Sequence, residues 1–567
     1  MTLSTNRTNV AQDARILAFC ALLLTACERP NPAPENGAQG PWFQDMAAAR
    51  GIDFVHESGH GKEFYPPEIV AGGVALLDMD GDGDLDIYLV QSGRVEAENT
   101  ERPGNQLYRN LGEGTFENCT ADSGADDRGY GMGAATGDFD NDGFTDIYVT
   151  NLGRNALLKG SGEGTFTDVT DVAGVGDQGF GSSAAFVDFD HDGDLDLYVA
   201  NYLAWSVAME RECSNSAGQR DYCAPGVYNA PSVDVLYRNE GDGTFEDVTE
   251  AAGLSAGFGT GLGLACGDFT GDGLEDFFVA NDGRPDQLWV NLGEGQFEDR
   301  GLTLGCALDN NGVAKAGMGV AAGDIDDDGD LDLLVSNLRR ESDSLFINRG
   351  THFEDATAVS GLGLIGRAFT RFGTGWADFD NDGVLDLYQA NGRVVTDVDG
   401  HGSADPFAEP NLLYRGILGG RFEEVARRGG TAELLVHTSR GAAFGDLDND
   451  GSIDVVVVNR DGAPYLLLNT VSDPGHWLMV RVLDEHGRDA LGASVTIELD
   501  GRTLRRDVRT AYSYCAASDA RVHFGLGSHT AVGSLAVRWV DGLQASYPVS
   551  GVDRVLEIRR EDGPTDD

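Results

Sequence analysis

An acidic phrase recurs seven times along this chain, and every copy runs directly into a β-branched or aromatic strand. The copies read DMDGDGDLDIYLV from Asp78, DFDNDGFTDIYVT from Asp138, DFDHDGDLDLYVA from Asp188, DFTGDGLEDFFVA from Asp268, DIDDDGDLDLLVS from Asp324, DFDNDGVLDLYQA from Asp378 and DLDNDGSIDVVVV from Asp446. Their starts lie 60, 50, 80, 56, 54 and 68 residues apart. A second phrase alternates with the first: LYRNLGEGTFEN from Leu107, LLKGSGEGTFTD from Leu157, LYRNEGDGTFED from Leu236, LWVNLGEGQFED from Leu288, LFINRGTHFED from Leu345 and LYRGILGGRFEE from Leu413. Each of these reads as strand, Gly-rich turn, strand. One pair of phrases per period gives about four short strands, the content of a propeller blade rather than of a helical solenoid unit.

The seventh period is incomplete. Tyr465 to Asn469 opens the second phrase, but no G-x-F-x-D follows it. The missing half stands at the other end of the chain, where Trp42-Phe43-Gln44-Asp45 and, beyond it, Gly51-Ile52 reproduce the phrase found at Phe166 to Gly174 and Phe245 to Gly253. The N-terminal strand is therefore expected to complete the blade begun by the last repeat, which closes the ring and pairs edges that an open array would expose. The fold expected is all-β: a seven-bladed β-propeller over residues 42–470, followed by a small β-sandwich or barrel over 475–560, where the acidic phrases stop, Arg becomes frequent and strands alternate. A chain of 567 residues accommodates this, since one compact core rarely grows past roughly 250–300 residues.

The chemistry of the phrase is that of a hard cation. In D-x-D-x-D-G-x-x-D, positions one, three and five aim carboxylates at one centre, Gly at six permits a sharp turn, and Asp at nine returns another carboxylate. The candidate ligands are Asp78, Asp80, Asp82 and Asp86; Asp138, Asp140, Asp142 and Asp146; Asp188, Asp190, Asp192 and Asp196; Asp268, Asp272 and Asp276; Asp324, Asp326, Asp328 and Asp332; Asp378, Asp380, Asp382 and Asp386; and Asp446, Asp448, Asp450 and Asp454. In the fourth copy Thr270 replaces an aspartate, and weaker binding is expected there. Carboxylates gathered this closely repel one another by several kcal/mol without a cation. The EF-hand reading fails, because it needs Glu at position twelve, where these copies carry strand residues such as Leu89, Val149 and Val199. The loops resemble the calcium loops of integrin-type FG-GAP propellers, which implies up to seven Ca2+ ions with a structural role, pinning each hairpin.

Charge excludes other partners. Lys+Arg 40 against Asp+Glu 94 gives a net charge of −54, which repels nucleic acid and anionic lipid headgroups. With 41% hydrophobic residues the chain is too apolar for disorder.

At the N-terminus, Arg7 and Arg15 precede the apolar run Ile16 to Leu24, too short to span a bilayer as a resident helix but suited to a signal-peptide core. It ends in Leu24-Thr25-Ala26-Cys27, which resembles the lipobox of bacterial lipoproteins. That resemblance implies a signal peptide over 1–26, lipidation of Cys27, a flexible tether over 27–41, and an exported protein held at the cell envelope, at the outer membrane in a Gram-negative source. The alternative is an ordinary secretory signal cut nearby. The lipid would be the chain's only membrane contact. Cys213 and Cys223, ten apart in a polar insertion, are the expected disulfide, whereas Cys119, Cys266, Cys306 and Cys515 read as small buried hydrophobes.

The stretch His56-Glu57-Ser58-Gly59-His60-Gly61-Lys62, continuing through Pro67-Glu68-Ile69 and Gly72-Gly73-Val74-Ala75, resembles the start of bacterial homologues of cartilage acidic protein, the CRTAC family. The insertion ending Asp221-Tyr222-Cys223-Ala224-Pro225 fits the same family. Leu491 to Val495, Tyr514, Ser518 to Gly527 and Val537-Arg538-Trp539 resemble an ASPIC/UnbV domain, with Cys515 and Ala516 standing where Leu and Ser are expected.

Two function classes follow. The first, which the resemblance to integrin propellers and CRTAC proteins favours, is a calcium-stabilised tethered scaffold whose face loops hold a protein or glycan. The second is an enzyme at the propeller channel, with His56, His60 and Glu68 as the residues able to bind a transition metal or relay protons. No G-x-S-x-G elbow, phosphate-binding Gly loop or H-E-x-x-H helix occurs. Arg502, Arg505, Arg506 and Arg509 form a basic patch expected to dock against the acidic ring.

Overall fold

Every acidic phrase is the hairpin between the first and second strands of an antiparallel sheet, and the Gly-rich phrases join third strands to fourth. The computed structural model describes residues 40–396 and 405–560; the leader and Cys27 lie outside the described residues. The first sheet sets the pattern: Val74–Leu77, Asp86–Leu89, Gln106–Asn110 and Phe116–Asn118, with Val74 opposite Leu89, Ile87 opposite Tyr108 and Tyr108 opposite Asn118. Six more sheets begin at Tyr130–Gly137, Gly181–Val187, Gly261–Gly267, Gly317–Gly323, Arg371–Ala377 and Ser439–Gly445. The last of these lacks its own fourth strand. Phe43–Asp45 supplies it, with Phe43 opposite Asn469 and Asp45 opposite Leu467.

First strands adjoin one another in chain order, and Ser439–Gly445 adjoins Val74–Leu77, so they surround a common axis. Both faces of each sheet are covered by neighbours, which is why second strands such as Asp86–Leu89 are buried at every position. Aromatic residues fill the gaps: Tyr198, Phe277, Trp289 and Phe297 share one apolar layer, with the Tyr198 and Phe277 ring centres 4.5 Å apart. Burying a side chain of this size stabilises by roughly 1.5–3 kcal/mol.

The C-terminal module pairs two sheets. One runs Arg502–Asp507, Ser494–Leu499, Ser534–Arg538, Gln544–Pro548; the other runs Val522–Gly527, His476–Leu483, Arg554–Arg559. Their inner faces share a core containing Leu478, Val495, Ile497, Phe524, Val537 and Trp539, and that core continues without a gap into Tyr148, Phe186 and Leu197 of the ring.

Between the module's sheets the chain leaves for the ring axis. Thr510 Oγ1 donates to the Thr136 carbonyl at 3.0 Å, and Ser513 exchanges backbone hydrogen bonds with Val320 at 2.7 and 2.9 Å. The Cys515 N–H donates to Ser183 Oγ at 3.0 Å, and Ala516–Ala517 adds in parallel to Val74–Leu77 as a fifth strand. The chain returns at Ser518, whose Oγ accepts from the Phe444 N–H at 3.2 Å. The axis is thus filled by residues 510–518, which satisfy first-strand groups that a hollow ring would leave to water. Glycine makes this approach possible: a Cβ on Gly73 would lie 2.7 Å from the Cys515 carbonyl oxygen, and one on Gly133 would lie 2.9 Å from the Cys515 Cβ. The cysteine at 515, where a leucine is expected, is therefore a packing residue at the tip of a buried plug.

Candidate functional site

The acidic loops share one geometry. In the first, the Asp78 carboxylate accepts from the N–H groups of Gly81 and Gly83 at 2.8 and 3.1 Å, and Asp82 accepts from the Asp84 N–H at 2.9 Å. Asp86, at position nine, accepts from the Met79 N–H at 2.9 Å and from the Asn110 N–H at 2.7 Å, tying the loop to the third strand. Asp146 and Asp386 repeat this with Phe139 and Gly160, and with Phe379 and Gly416. Gly at position six is left-handed in every copy, with φ +89° at Gly83. Position four is left-handed as well, at Gly81, Asn141, His191, Gly271, Asp327, Asn381 and Asn449. Apart from His191, these are the residue types that tolerate that region best, a signal the sequence carries although the D-x-D spacing distracts from it.

Carboxylate oxygens converge within 4.8 Å of one another in the triads Asp78/Asp80/Asp86, Asp138/Asp140/Asp146, Asp188/Asp190/Asp196, Asp324/Asp326/Asp332 and Asp378/Asp380/Asp386. At position three a buried oxygen is left with no hydrogen bond: Oδ1 of Asp80, Asp140, Asp326, Asp380 and Asp448, and in the fourth loop Oγ1 of Thr270. In the third loop the orphan is Asp188 Oδ1. Burial, with repulsion from Asp80 and Asp78, pushes Asp86 up to about 8, and Asp276 and Asp332 likewise reach about 8. An all-oxygen donor set with orphaned atoms and raised carboxylates fits a divalent hard cation.

Two sets of basic residues approach these loops. The first comes from the third strands: Arg109 Nε lies 3.2 Å from Asp80, Lys159 contacts Asp140 and Asp142, Arg349 lies 2.8 Å from Asp326, and Arg415 lies 3.1 Å from Asp380. Sequence reasoning missed them, although Arg109, Lys159 and Arg415 each stand two residues after the Leu of their phrase and Arg349 just past the end of its strand. The second set comes from the C-terminal module. Arg502 donates to Asp327 at 2.9 Å, Arg505 to the Gly329 carbonyl at 2.6 Å, Arg488 to the Asp138 and Gly193 carbonyls at 3.3 and 2.6 Å, and Arg521 to the Asp446 carbonyl at 3.1 Å. Arg538 lies 3.6 Å from Asp268 and Arg481 lies 3.8 Å from Asp78. Half-buried Arg506 feels Asp378 and Asp324, and Arg509 donates to the Cys266 carbonyl at 3.4 Å. Every acidic loop thus has an arginine of the module beside it, and the docking patch is wider than the cluster at 502–509.

On the opposite face, where first strands begin, the residues singled out as an alternative site only partly meet. His60 Nδ1 lies 3.3 Å from Glu68 Oε2 and 2.6 Å from the Tyr222 hydroxyl, which is 3.2 Å from the same carboxylate. Arg460 reaches the Tyr222 hydroxyl at 3.4 Å and lies over the Phe407 ring. His56 belongs to a different contact. Its Nδ1 accepts from the Asp461 N–H at 3.4 Å and its Nε2 faces Ser92 Oγ at 3.2 Å. Burial lowers the His56 pKa to about 4, keeping the ring neutral. Tyr222 and Arg460 were not foreseen, because only the fold carries Tyr222 to His60 and Arg460 to Tyr222. Tyr222 is placed by the insertion that the Cys213–Cys223 disulfide closes.

Comparison with known proteins agrees with the repeats. The FG-GAP-like repeat family matches residues 78–149, 138–199, 215–279, 268–335 and 324–388, and the ASPIC and UnbV family matches residues 484–565. Human cartilage acidic protein 1 is 27% identical over 327 residues, covering 55% of this chain and 46% of its own length. Its mouse counterpart is 28% identical over 375 residues, covering 55% of this chain and 57% of its own. The chain spans about half the length of these curated relatives. Among solved structures, an Agrocybe aegerita lectin that recognises non-reducing terminal N-acetylglucosamine aligns with TM-score 0.38 and 16% identity, over 69% of this chain and 87% of its own. YCF48 bound to a D1 peptide aligns with TM-score 0.38 and 10% identity, over 74% of this chain and 98% of its own. At such scores neither carries an argument about this chain.

Proposed function

The chain belongs to the FG-GAP-like repeat family and carries a C-terminal ASPIC and UnbV domain, and on that premise we propose that it is a calcium-loaded binding scaffold tethered at the cell envelope. Its seven sheets act as the blades of one ring. The aspartates at positions one, three, five and nine of each acidic loop would hold Ca2+, with Thr270 replacing one of them in the fourth loop. The ion supplies positive charge that cancels carboxylate repulsion and locks the hairpin between first and second strands. Export, with Cys27 lipidated, completes the reading, and the ligand is a protein or a glycan held by loops at the ring surface.

The observation that carries this reading is the orphaned position-three oxygen, repeated in loop after loop beside carboxylates whose pKa values burial raises. The plug at 510–518 supports a scaffold over an enzyme, since it fills the axis where channel chemistry would need space. In the alternative enzymatic reading, His60 and Glu68 would act with Tyr222. The burial of Glu68, 3% exposed, and the separate engagement of His56 favour a role in holding the insertion.

Metal analysis of the purified mature protein tests the scaffold. Near seven equivalents of calcium, with a large fall in melting temperature on chelation, is the expected result. Tightly held zinc or copper in place of calcium would overturn it.

A further inference from the structure

On the face opposite the acidic loops, a cavity of about 460 Å3 lies between the helix Pro66–Val70, the disulfide-closed insertion, and the turns around Asp282 and Glu341. Its volume is in the range of sites that take small organic ligands. Most of the wall is apolar, with Ile69, Val70, Met318 and Leu338 among its members, and Tyr202 and Tyr222 add aromatic surface.

Two carboxylates interrupt that wall. Asp282, 8% exposed, accepts one hydrogen bond from the Tyr202 hydroxyl at 2.7 Å through Oδ2. Glu341 accepts one from the Ala316 N–H at 3.0 Å through Oε2. No second side-chain hydrogen bond or ion pair to either carboxylate is seen among the described residues, so Asp282 Oδ1 and Glu341 Oε1 stay unused. Neither oxygen is a buried orphan, so both are open to a donor that a ligand brings into the cavity. The two groups also repel each other, and burial together with Glu341 raises Asp282 to about 6. The remaining charge on the wall is the Arg284 guanidinium, on the turn beside Asp282, which leaves the lining one negative charge in excess.

We propose that this cavity binds a small apolar molecule carrying a protonated amine, with the ammonium group between Asp282 and Glu341 and the apolar body against Ile69, Val70, Met318 and Leu338. The site is separate from the acidic loops and stands whether or not they hold calcium or the ring holds a protein or glycan partner.

Titration calorimetry of the full-length, calcium-supplemented protein with 2-phenylethylamine tests it, alongside neutral 2-phenylethanol and anionic 3-phenylpropionate. The amine is expected to bind at least about tenfold more tightly than either analogue, and Asp282→Asn, which keeps an acceptor for Tyr202, is expected to lose about tenfold in amine affinity. Glu341→Gln is a second variant with the same expectation, and circular dichroism melts establish that both fold. No heat with the amine up to about 10 mM, equal binding of the alcohol, tighter binding of the propionate, or unchanged amine affinity in both folded variants would each overturn the proposal.

Discussion

The hydroxyl of Tyr514 donates a hydrogen bond of 2.6 Å to the carbonyl oxygen of Val70, joining residues 444 apart in sequence deep inside the ring. Both residues are almost fully buried. The bond fastens the tip of the C-terminal plug to the helix that precedes the first strand.

Tyr514→Phe keeps the ring packing against Phe372, where the centroids are 4.9 Å apart, but strips the Val70 carbonyl of its donor. Its expected cost is about 1–3 kcal/mol, and Tyr514→Ala, which also opens a cavity, is expected to cost about 3–5 kcal/mol. Denaturant unfolding measures both. A neutral Tyr514→Ala would mean that the plug adds nothing to stability.

On the proposed calcium reading, removing one acidic-loop ligand affects one ion. Asp326→Ala deletes the orphaned oxygen of the fifth loop, and the calcium count is expected to fall by about one equivalent. At free calcium near a hundred times the dissociation constant, each lost site lowers stability by about 2.7 kcal/mol. An unchanged metal count in Asp326→Ala by mass spectrometry would refute the assignment of that loop.

Arg506 ties the module to the ring. Half-buried, it feels the carboxylates of Asp324 and Asp378, with its guanidinium carbon 5.6 Å from the Phe524 ring centre. Arg506→Met keeps much of the volume but removes the charge, leaving both carboxylates without that neighbour. A loss of about 1–3 kcal/mol is expected, the range for removing one half-buried charge that faces two carboxylate loops. Limited proteolysis should then cut first near the 470–475 junction. Uncut protein with an unchanged melt would show that the other arginines suffice.

The buried imidazole of His56 makes stability depend on pH. Its folded pKa of about 4 lies below the usual 6.5, so the unfolded chain binds the proton first. The contribution is fully present above pH 6.5 and is lost as pH falls toward 4, amounting to about 3 kcal/mol over that interval. His523, lowered to about 4 by burial, acts in the same direction. Other buried groups titrate in this range too, so the test is a difference: in saturating calcium, His56→Gln should lose less stability than the wild type between pH 7 and 4. Parallel curves would rule out the linkage.

Much of the fold is legible along the chain because its signals are local. Each loop places its carboxylates by the spacing of nine consecutive residues, and the missing strand of the last repeat is visible as an unmatched phrase at Phe43. The basic residues at Arg109, Lys159, Arg349 and Arg415 were equally local but were overlooked because they stand in the other phrase of the repeat.

What the tertiary structure decided are contacts with no local trace. That Tyr222 meets both His60 and Arg460 depends on three loops from distant sheets reaching one point. That residues 510–518 enter the axis depends on a channel lined by glycine, at Gly73 and Gly133 among others, and no residue of the plug announces its destination. By itself the sequence determined the repeat, the clustering of carboxylates in its loops and the strand that completes the last sheet, because the spacing of these residues acts within a few positions. The filling of the axis, the arginine beside every loop and the cavity between Pro66–Val70 and the insertion were settled by packing, which joins side chains hundreds of residues apart only after the sheets have assembled.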